Sequence, residues 1–495
     1  MVQKMHSDMM QSSPTLRAQP MIRMLSDDQI AELISAAMEI MDTIGFKVLS
    51  PEARTIFQKA GAVVDRETVR VPQFVVRKAL AAAPQGWTIY DRNGNQALEA
   101  AGRMISFGTA TASPNTIDPF TGEYRETRIK DIARSALIAD ALEHIDWVMP
   151  MGSAQDVPQQ WTDVQEFLAV VQNTAKPILL CASSTEGAER VCTLAAAIAG
   201  TWERLRNRPF LVLYTVPLTP LVLPGPTVEQ ILLAAERFLP QIMGPTMQPG
   251  ATSPVTLAGA VAQGLAESLM CLSLAQLHSP GCPVGLGCNF TNFDMHQGLA
   301  GIGNPEMSLA LTAQAEVAQS LGLPTLGLAG GTDAKVLDAQ AGAEAAFHLL
   351  AQAQAGLNLI HDVGYMDMSM ACSLEQLVLG NEIIGMVKQY LKGIEVSRER
   401  LCLKPPAGAG QTDHLFGPVP FRQSPISQKG HAAVFTRESY ASWKAAGHKE
   451  TRTRVREQIH FLLKTHQPSA LPLPVLQNLE RIQKEAATSC VNQAG

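Results

Sequence analysis

Eight short apolar runs, evenly spaced from residue 104 onward, limit this chain to few architectures. They fall at 104–108, 145–149, 177–182, 210–216, 241–246, 283–288, 324–329 and 357–361. Each is too short for a helix and long enough for a strand buried on both faces. Helical segments separate them. Between the first two runs, Ile129, Ile132, Ala133, Ala136, Leu137 and Ala141 put one apolar stripe on an otherwise polar helix. Strand plus helix recurs every roughly 30 to 40 residues, a little more than a minimal βαβ unit needs. Eight such units predict an α/β fold over 104–395, a closed parallel (β/α)8 TIM barrel rather than an open doubly wound sheet.

The flanks read differently. Residues 1–24 carry no periodic pattern and are expected to be loosely attached. Ser26-Asp27-Asp28-Gln29 reads as a capping box, after which Ile30, Leu33, Ile34, Ala37, Met38 and Met41 recur at helical spacing as far as Gly45. Helices at 51–60 and 73–83 and extended stretches at 62–71 and 87–90 make 25–103 an N-terminal α+β extension. After the last strand, 374–391 reads as the final barrel helix. The C-terminal segment 396–495 opens on a Pro-, Gly- and Gln-rich run at 404–436, followed by closing helices at 438–446 and 450–464.

The 39 basic residues face 45 acidic ones, and no run of five like charges occurs. That leaves no electrostatic footprint for nucleic acid. Residues 1–20 hold no signal-peptide core, and no window of about 18 uncharged apolar residues follows, so a cytoplasmic chain without a membrane partner is expected. The eight cysteines include no CxxC pair, which argues against a disulfide framework or a zinc ribbon. Cys282 and Cys288 lie near His278, but free cysteine is most often a small core residue, so no metal site is expected. Homo-oligomerisation stays open.

In a (β/α)8 barrel the chemistry sits at the C-terminal strand ends. The richest stretches there are Asn289-Phe290-Thr291-Asn292-Phe293-Asp294, Gly330-Gly331-Thr332-Asp333-Ala334-Lys335 and His361-Asp362-Val363-Gly364-Tyr365. Thr332 or Asp333 could equally cap a helix. Lys335 does not directly follow a glycine, so this is not a P-loop. His361 sits at a strand end and is a functional candidate, whereas His348, inside a helix beside Phe347, reads as structural. Aromatic residues are scarce, yet Phe107, Tyr214, Phe290, Phe293 and Tyr365 all fall at or just beyond strand ends. Two or three such rings could cage a quaternary ammonium group through their quadrupoles.

Four stretches carry a family resemblance by their order and spacing. They are Ile40-Met41-Asp42-Thr43-Ile44-Gly45-Phe46, Thr116-Ile117-Asp118-Pro119-Phe120-Thr121-Gly122-Glu123-Tyr124-Arg125, the loop 330–340, and Ile360-His361-Asp362-Val363-Gly364. Together they resemble the trimethylamine methyltransferase superfamily over roughly residues 25–465. The resemblance implies a (β/α)8 barrel whose open end docks a separate corrinoid-binding protein. Founding members contain pyrrolysine and act on trimethylamine; several members without it demethylate glycine betaine, carnitine or proline betaine. No non-standard residue is written here, which places the chain with the second group, resembling glycine betaine:corrinoid methyltransferase. The corrinoid (cobalamin) would be a methyl acceptor carried by the partner. Gly430-His431-Ala432-Ala433-Val434-Phe435 before Ser439-Tyr440-Ala441-Ser442-Trp443 matches the family's C-terminal pattern only in part.

Chemistry favours the same substrates. A tertiary amine would have to expel a strongly basic amide anion unless its nitrogen is first made cationic, whereas a quaternary nitrogen leaves as a neutral amine. The enzyme's task then reduces to aligning the methyl with the Co(I) nucleophile away from water. A carboxylate at nitrogen would stabilise the ground state, so aromatic or neutral polar contacts are expected there. A betaine carboxylate would need donors, with His361 first and Asn289, Gln248 and Thr332 behind it. The expected substrate-binding set is therefore His361, Tyr365, Phe107, Tyr214, Gln248, Asn289, Phe290, Phe293, Thr332 and Asp333. Two rivals remain: a phosphate-binding lyase using Lys335 as a Schiff base, and a non-catalytic quaternary-amine binding protein.

Overall fold

The computed structural model describes residues 16–17, 21–296, 298–394 and 434–481. Its centre is a ring of parallel segments: β1 (Met104–Thr109), β2 (Trp147 and Val148), β3 (Ile178–Leu180), β4 (Leu211–Thr215), β5 (Gln241–Met243), β6 (Val284–Gly287), β7 (Thr325–Leu328) and β8 (Leu359–Val363). Parallel registers join Ile178 to Leu211, Leu213 to Gln241, Ile242 to Gly285, Leu286 to Thr325, Leu326 to Leu359 and Leu359 to Ser106. Two single bridges, Gly108 to Trp147 and Val148 to Ile178, close the circle. The second stave is thus shorter than the run 145–149. Part of the reason is local: the Met149 N–H donates to the Thr109 hydroxyl at 2.8 Å instead of to a backbone carbonyl.

A helix follows each strand: α1 (Ile129–Ala141), α2 (Thr162–Val171), α3 (Thr185–Ala199), α4 (Gly225–Arg237), α5 (Leu257–His278), α6 (Pro305–Ser320), α7 (Ala339–Ala355) and α8 (Leu374–Leu391). Ser184, Thr256, Asp338 and Ser373 start α3, α5, α7 and α8, each accepting a first-turn N–H that the helix cannot satisfy itself.

The lumen is packed. Trp147, Met149, Leu179, Val212, Tyr214, Ile242, Leu326 and Leu359 meet Trp87, Ile89, Leu98 and Ala100 of an antiparallel hairpin, Gly86–Tyr90 with Gln96–Ala101. Trp87 Nε1 donates to the Val284 carbonyl, at the first residue of β6, so the hairpin stoppers the N-terminal end of the barrel. The sequence suggests only the first strand of this hairpin.

The extension explains an anomaly in α5. That helix is apolar on all sides and long enough to cross a membrane, contrary to the expectation that no such segment exists, yet 83% of its most apolar window is buried inside the protein. An all-round apolar helix needs cover on every face. Helices Asp27–Glu39 and Gln73–Ala82 supply it on the outside, packing with Phe46, Val48 and Phe57 against Leu265, Leu269, Leu272 and Leu274. The expected capping box is present, Ser26 and Gln29 exchanging backbone bonds.

At the other terminus, helix Thr451–Thr465 lies on α8 and α1. Arg452 and Arg456 both bind the buried Glu375 carboxylate, and His466 Nε2 sits 2.7 Å from Asp140. The Pro- and Gly-rich run up to residue 433 and the tail beyond 481 lie outside the described residues.

Candidate active site

All five residues of β8 are buried, and two of them are polar. Between Ile360 and Val363 the register against β1 slips, and Asp362 adopts φ +84°, a left-handed conformation that Asp tolerates better than a branched residue does. The kink brings two successive side chains together, with Asp362 Oδ1 2.6 Å from His361 Nδ1 and the side chains 4% and 3% exposed. Alignment is nevertheless poor. His361 Nδ1, His361 Nε2 and Asp362 Oδ1 complete no hydrogen bond. Buried polar atoms without partners are rare because each costs about 1–3 kcal/mol, and in a native site they mark where a ligand or water belongs.

Tyr214, on β4, meets His361 edge-on with ring centroids 5.8 Å apart. Its hydroxyl accepts from Asn289 Nδ2 at 2.5 Å, while Asn289 Oδ1 has no partner. Burial pushes the Tyr214 hydroxyl far above its ordinary range, with the Asp362 charge adding to the shift, so it stays protonated. Two glycines make room. A Cβ at Gly244 would sit 2.5 Å from the Tyr214 ring, and one at Gly287 would press on the Met243 carbonyl at 3.0 Å.

One flank is acidic. Asp163 accepts from the backbone and hydroxyl of Ser183 and from Ser184, tying α2 to the loop after β3. Glu166 accepts the Ala154 N–H at 2.8 Å. Burial raises its carboxyl to about 8. Both acidic groups add to the burial that pushes the Cys181 thiol up to about 12.

The expected residues scatter. His361, Tyr214 and Asn289 come together; several others do not. Phe107 points into the helix-side core, fully buried, with Lys388 Nζ 5.5 Å from its ring centroid, because alternation along β1 gives the lumen to Ser106 and Gly108. Phe290 is likewise buried in that core. Tyr365 is buried there too, and its hydroxyl donates to the Thr111 carbonyl. Thr332 donates to Glu344 at 2.6 Å, and Asp333 accepts from the Ile302 and Gly303 N–H groups, so both lock neighbouring loops. The Gln248 carbonyl closes the turn 248–253, and Phe293 is half-buried on a small hairpin, Asn292–Asp294 with Leu299–Gly301.

Lys335 is 61% exposed and paired with Asp367, which leaves the Schiff-base rival without its nucleophile in the site. His348 is buried between α6 and α7, 2.6 Å from the Ser308 hydroxyl. Cys282 contacts Gln276 while His278 pairs with Glu236, so the Cys282, Cys288 and His278 grouping does not assemble. Asp362, Asp163 and Glu166 are the residues that sequence reasoning missed. Only Asp362 had a signal, its place beside His361.

The comparisons agree with this arrangement. The sequence profile of the trimethylamine methyltransferase (MTTB) family matches residues 2–488. Trimethylamine methyltransferase MttB of Methanosarcina barkeri (strain Fusaro / DSM 804) is 33% identical over 475 residues, covering 94% of this chain and 95% of that protein. Glycine betaine methyltransferase of Desulfitobacterium hafniense (strain Y51) is 28% identical, covering 91% and 94%. The crystal structure of the Methanosarcina barkeri monomethylamine methyltransferase aligns over 88% of this chain and 93% of that one, at 11% identity and a TM-score of 0.48. The barrel itself is established by the strand registers above. With the profile matched nearly end to end and a one-third-identical relative spanning almost the whole chain, this protein is a methyltransferase of the trimethylamine methyltransferase family.

Proposed function

We propose that the chain moves a methyl group from a quaternary ammonium compound to the Co(I) of a corrinoid presented by a separate protein. The observation that carries this reading is the cluster of buried, unpartnered polar atoms on His361, Asp362 and Asn289 beside the Tyr214 ring. An aromatic ring with neutral donors around it suits a methylated cation. Relatives named for trimethylamine and for glycine betaine support N-methylated substrates as the class.

The residues do not act as acid or base toward the leaving group. A quaternary nitrogen departs as a neutral amine, so no proton is needed at that step. Tyr214 and His361 hold the ammonium group, Asn289 fixes the Tyr214 hydroxyl, and the stoppered lumen keeps water from the reacting methyl. The corrinoid supplies the nucleophile and takes the methyl.

The test is a mixture of purified protein with reduced cob(I)alamin, with and without a corrinoid protein, followed by visible spectroscopy. Methylcobalamin is expected with a quaternary ammonium compound and not with trimethylamine. No conversion with any methylated amine, corrinoid protein included, removes the methyl-transfer reading and leaves quaternary-amine binding without catalysis.

A further inference from the structure

Charge at the barrel mouth bears on the substrate's other end. The loops after β2, β3, β4, β5, β6 and β8 contain no lysine or arginine at all. In the loops after β2 to β8, Asp156, Asp294, Asp333, Asp338 and Asp367 face a single cation, Lys335, which is exposed and paired with Asp367. After β1, Arg125 is spoken for by Asp118 and Asp131. Deeper in, Asp163 and Glu166 line one flank, and Asp362 holds an unpartnered oxygen with its side chain 4% exposed. A ligand carboxylate brought here would meet like charge, and among the described residues no unpaired guanidinium or ammonium offsets it.

We infer that the site selects a methylated ammonium of net positive charge, with no carboxylate of its own, and that Asp362 makes the distinction. The inference rests on the quaternary-ammonium reading above and narrows it, replacing betaines with cations of the choline or tetramethylammonium type. Asp362 is well placed for such selection. Its bulged backbone turns the carboxylate back on His361, so the acid is held at the rim of the cluster while the Tyr214 ring faces the lumen. Attraction there is shared by bound substrate and transition state until the amine leaves, so it lowers KM more than it changes kcat.

Isothermal calorimetry on the full chain without any corrinoid reads this directly, with tetramethylammonium, choline and glycine betaine as probes. Choline and tetramethylammonium are expected to bind at least tenfold tighter than glycine betaine. Asp362→Asn is the informative variant, because Asn accepts a left-handed φ as readily as Asp does. It should weaken the two cations at least tenfold and leave glycine betaine unchanged or tighter. Wild-type binding of glycine betaine as tight as that of choline, or of none of the three, overturns the inference, as does an equal loss for all three in the variant. Because binding is read without an acceptor, cations that bind but are never demethylated leave the charge selection standing and sink the transfer reading. Glycine betaine as the best methyl donor would do the reverse.

Discussion

The hydroxyl of Tyr214 receives its hydrogen bond from Asn289 Nδ2 at 2.5 Å, across the strand positions where β5 and β6 carry glycine. The bond fixes the ring that meets His361 edge-on.

Tyr214→Phe keeps the ring and loses the bond, whereas Tyr214→Leu loses both. Methylcobalamin formation should fall about tenfold in the first, matching one buried hydrogen bond of about 1–1.5 kcal/mol. The second should fall at least about a hundredfold, since the cation contact goes too. Equal activity of wild type and Tyr214→Leu would remove Tyr214 from the site.

Gly244→Ala introduces a methyl group into the Tyr214 ring, 2.5 Å from Cε2. The ring must move, and overpacking of this kind costs about 1–3 kcal/mol. Substrate KM is expected to rise with only a small change in melting temperature. Gly342→Ala, where an added Cβ meets nothing within 4 Å, is the control.

Glu166 gives a pH signature. Its folded-state pKa of about 8 lies above the ordinary 4.5, so between those values the folded protein holds a proton that the unfolded chain has released. Stability therefore falls as pH rises through this window, by at most about 1.4 kcal/mol per pH unit, and levels off above it. Glu166→Gln cannot ionise and should flatten melting temperature against pH over that range, with the largest gain at the alkaline end. A slope identical to wild type would contradict the assignment.

Glu375 anchors the C-terminal helix, accepting from Arg452 Nε and Nη2 and from Arg456 Nε at 2.7–3.1 Å. The carboxylate is 1% exposed and the arginines 34%. Replacing both arginines by alanine strands a buried charge and should cost about 3–5 kcal/mol in urea unfolding. Glu375→Gln leaves cations that water can reach and should cost less. Limited proteolysis within 451–465 should rise in both variants.

The barrel was legible because parallel strands buried on both faces leave continuous apolar runs at a regular interval. The second stave was the least faithful, since the Thr109 hydroxyl substitutes for a ladder bond there and a run of apolar letters does not show it. Tyr214, Asn289 and His361 were readable from their place at strand ends. Phe107 and Phe290 were misplaced toward the mouth because strand alternation, not nearness to the strand end, decides which way a side chain points. Asp362 and Glu166 could not be read at all as site residues. Their importance comes from a bulge and from neighbours distant in sequence, and neither leaves a local pattern.

The stopper formed by Trp87, Ile89 and Leu98 makes the barrel a blind chamber. Methyl donor, spent amine and corrinoid must all use one doorway, so a docked acceptor shuts the spent amine inside. Turnover then has a traffic order: the acceptor must step back before the amine can be exchanged, and a partner that holds on too tightly slows the cycle as surely as one that docks poorly.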